Sequence, residues 1–167
     1  FSFPHGTHLC AMEVDTETGA TTMRKYVCVD DIGTIINPLI VEGQVHGGLL
    51  QGIAQALWEG AEYDEQGTLA SGSFVDYTLP TAADTINFIS EHTVSPSTTN
   101  TLGTKGVGEA GTIASTPAVV NAETTDAPAL DRVEKLLAVA PAEVKPDLEK
   151  LKEAVTIQND PKADSIQ

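Results

Sequence analysis

The run Thr104-Lys105-Gly106-Val107-Gly108-Glu109-Ala110-Gly111-Thr112 carries the densest chemistry in the chain. Glycines ahead of a helix expose backbone N–H groups, and the helix dipole adds positive potential at the same place. Such a segment suits an anion. Lys105 precedes the glycines, so this is not the phosphate loop in which a lysine follows them, and the GxGxxG spacing is absent. Glu109 would repel a phosphate inside such a cradle. At its edge, a carboxylate can serve as a base aimed at a reacting centre. The plainer alternative is a turn whose glutamate is solvated or caps the helix.

A second constellation is Glu42-Gly43-Gln44-Val45-His46-Gly47-Gly48, with Gln51-Gly52 one turn on. The amides of Gln44 and Gln51 can match the donors and acceptors of a heterocycle, and the glycines leave room for one. The alternative is a seam of small residues between helices with glutamines at its rim, and His46 alone reads as a satisfied or surface histidine. His5-Gly6-Thr7-His8 offers two imidazoles three apart, with no third metal ligand evident in the sequence. Asp30-Asp31 could hold a hard cation but reads more simply as a solvated pair at a strand end. Cys10 and Cys28 read as two small buried hydrophobes; neither belongs to a CxxC or Cys/His pattern, and no metal site is assigned.

These residues need elements to position them. Leu9 to Val14, the turn Asp15-Thr16-Glu17-Thr18-Gly19 and Thr22 to Val29 predict a β-hairpin. In its second strand Met23, Lys25, Val27 and Val29 share one face, and Arg24, Tyr26 and Cys28 the other. Asn37-Pro38 leads toward a helix over Val41 to Glu59, where Val45, Leu49, Ile53, Ala56 and Leu57 recur at helical spacing. Each interior glycine there costs roughly 1 kcal/mol against alanine, so several imply a close approach to another helix or a ligand. A second hairpin is expected with Asp64-Glu65-Gln66-Gly67 at its tip, then a strand over Ile86 to Val94. A loop follows over Ser95 to Asn100, then the glycine loop. Ile113 to Asn121 reads as a helix, with Thr112, Ser115 or Thr116 as N-cap and Pro117 near its first turn. The fold class is α/β of the α+β kind.

The 167 residues include 24 Asp+Glu and 9 Lys+Arg, a net charge of −15. That balance argues against nucleic acid and anionic membranes as partners, because both need clustered cations. The sequence has no apolar run of about 18 residues, so no transmembrane segment is expected, and no secretory signal is visible. The opening Phe1-Ser2-Phe3-Pro4 reads as the middle of something longer. Residues 1–130 hold all 14 glycines and 3 of the basic residues, while 131–167 hold 6 basic and 8 acidic residues. The boundary falls near Ala127-Pro128-Ala129. Beyond it the chain reads as a charged tail, with two short polar helices split at Pro141 and Pro146 and a disordered end.

Several linked blocks resemble the molybdenum-binding large subunit of the xanthine oxidase family. They are Val29-Asp30-Asp31-Ile32-Gly33-Thr34-Ile35-Ile36-Asn37-Pro38; Glu42 through Gly48 with Gln51-Gly52; Asp76-Tyr77-Thr78-Leu79-Pro80; Ser95-Pro96 to Asn100; and Lys105 to Thr112. Order and spacing are kept over roughly residues 1–122, and the wording is closest to the aerobic carbon monoxide dehydrogenase group. The resemblance implies that residues 1–130 form the C-terminal part of a molybdenum cofactor-binding domain. It implies that Glu109 is the active-site base beside molybdenum. It also implies that Gln44 contacts the pterin, and that Lys105, Gly106, Val107 and Gly108 pass close to the cofactor.

The cofactor so implied is molybdenum–molybdopterin cytosine dinucleotide. The implied partners are the rest of the molybdenum subunit, iron–sulfur and FAD subunits and a small-molecule substrate, in the cytoplasm. The upstream cysteine loop that binds copper in carbon monoxide dehydrogenases has no counterpart. Neither Cys10 nor Cys28 stands in that context, so any copper of a complete enzyme would come from elsewhere. The likeness fades at Ala122. The competing reading is a non-catalytic assembly module built on the same fold, and a third is a stand-alone binding domain with a phosphate-friendly loop.

Overall fold

A computed structural model describes residues 2–15 and 17–123, together with Lys145, Glu149 and Lys152, which are helical. The reading of residues 131–167 as a charged tail otherwise lies outside the described residues.

Hydrophobic alternation and a glycine turn produce the expected hairpin. Strand β1 (His5–Val14) pairs antiparallel with β2 (Thr21–Asp31), setting His8 opposite Cys28 and Cys10 opposite Tyr26. The turn closes through Gly19 at φ 73°, with the Asp15 carboxylate accepting from the Glu17 and Thr18 N–H groups. A register shift between Ala11 and Met12 marks a bulge. Both strands run further toward Asp31 than the sequence indicates, because β2 is the central strand. Its other edge takes β3 (Ile89–Thr93) in parallel, giving the order β1-β2-β3. With both edges paired and both faces covered, Tyr26 through Asp31 are all buried.

Helix α1 (Pro38–Leu57) starts where the sequence places its signal. The Asn37 side chain accepts from the Ile40 N–H, and Pro38, which has no N–H to lose, fills the first turn. Val45, Leu49 and Ile53 are fully or almost fully buried against the sheet and the second helix; each such side chain contributes roughly 1.5–3 kcal/mol.

The second hairpin is reduced to one bridge, Tyr63 to Leu69, around a turn closed by the Asp64 carboxylate and Gly67. Exposed, mostly polar side chains give its arms nothing to bury. The strand expected over Ile86 to Val94 is ordered as strand only at Ile89–Thr93, where β2 offers a partner.

Helix α2 (Ala110–Glu123) begins three residues before the sequence reading. Glu109, rather than Thr112, Ser115 or Thr116, stands at its start, and its carbonyl accepts from the Thr112 and Ile113 N–H groups at 3.1 Å. Pro117 therefore sits inside the helix, a position that costs about 3 kcal/mol. Contacts with α1 offset this. Gly111 lies so close that a Cβ there would meet the Val45 carbonyl at 2.4 Å, and the Thr116 hydroxyl donates to the Gly52 carbonyl at 2.9 Å.

Candidate functional site

The glycine loop is tied to the end of β2 by backbone. The Lys105 N–H donates to the Ile32 carbonyl and the Thr34 N–H to the Gly103 carbonyl, both at 2.9 Å. Gly33 (φ 69°) and Gly103 (φ 68°) make the approach close; a Cβ on Gly33 would fall 2.3 Å from the Gly103 oxygen. Asn100 clamps the same loop, its amide donating to the Thr104 carbonyl and its oxygen accepting the Thr104 N–H. Two blocks that lie far apart in sequence, 29–38 and 95–112, thus form one assembly.

A buried ion pair holds it. The Lys105 ammonium lies 2.6 Å from the Asp31 carboxylate, with 11% and 0% of the two side chains exposed. Asp31 also accepts from the Gly33 N–H and the Thr93 hydroxyl. Burial pushes its carboxyl up, but Lys105, Gly33 and Ser95 together outweigh that and hold it below the ordinary carboxylate value. The sequence reading of Asp30-Asp31 as a solvated pair is therefore corrected. Alternate strand residues point to opposite faces, so the two carboxylates part. Asp31 meets Lys105, and Asp30 meets His8 at 3.2 and 3.3 Å on the other face. The signal lay in the charge count, since Lys105 is one of only three Lys or Arg residues before position 131.

The Lys105 ammonium is committed to Asp31 and its backbone N–H to the Ile32 carbonyl, so the residue is turned into the fold. What faces outward is Gly106, Gly108 and the Glu109 carboxylate, all exposed, with nothing within 4 Å of a Cβ built on either glycine. Glu109 is delivered to the N-terminus of α2, where the dipole is positive; the Ala110 N–H there donates to the Val107 carbonyl and the Thr112 N–H to that of Glu109.

The glycines of α1 divide by face. Gly48 and Gly52 receive α2, and a Cβ on Gly52 would sit 1.9 Å from the Ser115 hydroxyl. Gly43 and Gly47 face open space, beside the exposed Gln44. The helix-seam reading thus holds at Gly48 and Gly52, while the Gly43–Gly47 side is open. Gln44 and Glu109 flank the same helix crossing, where Gly111 lies against Val45 and Leu49. His46 packs edge-on to Phe88, ring centres 5.7 Å apart. Tyr77, from the third matching block, donates to Glu59 just past the end of α1 at 2.5 Å.

On the inner face of the hairpin, His8, Cys28 and Asp30 bring an imidazole nitrogen, a thiol and a carboxylate oxygen within 4.8 Å of one another. The strand register, invisible in the sequence, supplies His8 with the neighbours it lacked there; His5 is not a member of that group. Both cysteines are buried and neither is in a disulfide. Burial, reinforced by the Asp30 charge, pushes the Cys28 thiol up to about 12.

A family model for the molybdopterin cofactor-binding domain matches residues 1–86. The chain belongs to that family. It is 43% identical over 121 residues to the carbon monoxide dehydrogenase large chain of Afipia carboxidovorans, covering 72% of this chain and 15% of that one. It is likewise 43% identical over 120 residues to the nicotine 6-hydroxylase large subunit of Paenarthrobacter nicotinovorans, with the same coverage. Among solved structures, the carbon monoxide-reduced Cu,Mo-CO dehydrogenase matches with a TM-score of 0.70 and 41% identity over 78% of this chain and 16% of that chain. Quinoline 2-oxidoreductase from Pseudomonas putida 86 matches at 0.68 and 37%, over 93% and 19%. The chain therefore spans about 15% of the length of the curated relatives it matches. Among the described residues, no helix is long and apolar enough to cross a membrane.

Proposed function

We propose that this chain is part of the catalytic subunit of a molybdenum-dependent oxidoreductase, holding one side of the cofactor and supplying Glu109 as the base. The observation that carries this reading is the anchored loop. Asp31, Asn100 and the Gly33–Gly103 contact fix residues 103–105, and the chain then presents bare glycine backbone and one carboxylate at a helix N-terminus. Bare backbone, an adjacent amide and a positive helix end suit an anionic pterin nucleotide, so the residues present fit the group.

Gln44 would hold the pterin through its amide, and Gly106, Val107 and Gly108 would line the cofactor with backbone. The resemblance to the carbon monoxide dehydrogenase group favours molybdopterin cytosine dinucleotide. Bound there, molybdenum would supply the two-electron redox chemistry. Glu109 would accept and hold a proton at its carboxylate, and Lys105 would act as a structural cation. The same reading gives the chain iron–sulfur and FAD subunits as partners, a small-molecule substrate and a cytoplasmic location.

Molybdenum and pterin analysis of the complete complex tests cofactor binding. An intact complex without either would favour the assembly module instead. Glu109→Gln tests the base separately. It preserves shape but cannot take up the proton, so kcat should fall by about 10²–10⁴-fold with molybdenum content unchanged. Near wild-type turnover at full occupancy would remove Glu109 from the mechanism.

A further inference from the structure

We propose that the inner face of the β1–β2 hairpin binds one borderline-soft divalent cation of the zinc class. Its ligands are His8 Nε2, Cys28 Sγ and a carboxylate oxygen of Asp30. The three come from a short stretch of ladder: His8 is the register partner of Cys28, and Asp30 follows Cys28 on the same face. Their ligand atoms lie within 4.8 Å of one another, and the His8 and Asp30 side chains are only 1% and 4% exposed. Cys28 is fully buried.

The separation of His8 from Asp30 fits a coordination sphere. Zinc–ligand bonds of about 2.0–2.1 Å at tetrahedral angles place nitrogen and oxygen ligands about 3.3 Å apart. The Nε2 of His8 stands 3.2 and 3.3 Å from the two Asp30 oxygens. A charge-assisted hydrogen bond between the same groups is usually shorter, near 2.7–2.9 Å.

A metal on Nε2 would leave the other ring nitrogen of His8 protonated, and that nitrogen has a partner. The Tyr26 hydroxyl lies 2.9 Å from His8 Nδ1 and leaves Nε2 directed at Asp30. The charges balance as well. A thiolate and a carboxylate neutralise a divalent cation, and uptake releases the Cys28 proton. The mixed sulfur, nitrogen and oxygen set selects against calcium and magnesium, which take oxygen ligands. A cavity of about 110 Å³ lined by His5, Gly6 and Ala110 opens onto Asp30, the ligand nearest the surface on that side. Gly6 keeps that side clear, since a Cβ there would meet an Asp30 oxygen at 2.0 Å.

Cobalt(II) titration of the reduced 167-residue chain tests this. The expected result is one cobalt per chain, a thiolate-to-cobalt charge-transfer band, and displacement of both by zinc. The band should persist in Cys10→Ser and vanish in Cys28→Ser, the chain having just two cysteines. Tyr26→Phe, which removes only the outer hydrogen bond, should weaken zinc binding by about 10–100-fold. X-ray absorption of the zinc-loaded wild-type chain should count one sulfur, a readout that needs no variant to fold. Absence of the thiolate band from the wild-type chain, or cobalt bound by oxygen ligands alone, would overturn the proposal and leave a hydrogen-bonded His–Asp pair beside an inert thiol.

Discussion

Asp31 and Lys105 decide where the loop sits, and they do so as a buried pair whose loss is costly from either side. Asp31→Asn leaves the Lys105 ammonium buried without its counter-charge, which typically costs about 3–5 kcal/mol. Because the folded-state carboxyl lies below the ordinary value, its contribution is complete above the unfolded value of about 3.9. It is lost as pH falls through the folded one. Urea unfolding across a pH series should therefore show stability dropping on the acid side, with a shallower drop in Asp31→Asn. Asp15 and Asp84 are also held low by neighbouring N–H groups. The variant should thus flatten only part of the acid limb; an unchanged limb would show that the pair is not coupled to folding. None of this was readable from Asp30-Asp31 as adjacent letters, because alternation sends neighbours to opposite faces and only the sheet's two covered faces make that matter.

At the scale of elements, the glycines of α1 offer an internal comparison. Gly52→Ala forces a methyl toward the Ser115 hydroxyl at 1.9 Å and the Thr112 carbonyl at 2.8 Å, and should destabilise the chain by about 1–3 kcal/mol. Gly43→Ala meets nothing within 4 Å, so in the chain alone it should stabilise the helix by up to about 1 kcal/mol. In the complete complex, the same methyl would project from the face that we propose, with Gln44, for the cofactor, and molybdenum content should then fall. Thermal midpoints of the two variants, with metal analysis of the second, separate the helix-packing face from the open one.

The hairpin and α1 were legible because turn residues, Asn37-Pro38 and apolar spacing all agreed locally. The start of α2 was not legible, since local preference places caps at Thr112 or later and keeps Pro117 near the first turn. Packing of Gly111 on Val45 overrides that preference and begins the helix earlier. The second hairpin was over-read for the opposite reason, as its turn chemistry is real but its arms lack a surface to cover. The candidate site was legible as a loop of glycines with one carboxylate. That Lys105 is turned into the fold rather than toward a ligand required the structure.

Across the whole molecule, the described part carries more apolar surface than its own packing uses. Ile36, Leu39 and Ile40 beside the start of α1 are 61–79% exposed, and Phe74 and Val75 are 83% and 93% exposed. Clusters of that kind mark surfaces that contact other protein, which accords with a chain that spans a small fraction of its relatives' length. The parallel pairing of β2 with β3 bears on how the molecule assembles in time. β1 and β2 meet through a tight turn, whereas β3 can join only after α1 and all the chain up to Ile89 have folded back, a closure with a large entropic cost. Among the described residues, the last strand to arrive is also held on one edge only. Its amides, from Ile89 to Thr93, should exchange with solvent deuterium well before those of Tyr26 to Val29, through partial openings that leave the hairpin intact. Equal protection in the two strands would mean that the sheet opens as one unit. If β3 does open first, the Thr93 hydroxyl leaves Asp31 with it, and the footing of the glycine loop would loosen before the rest of the fold.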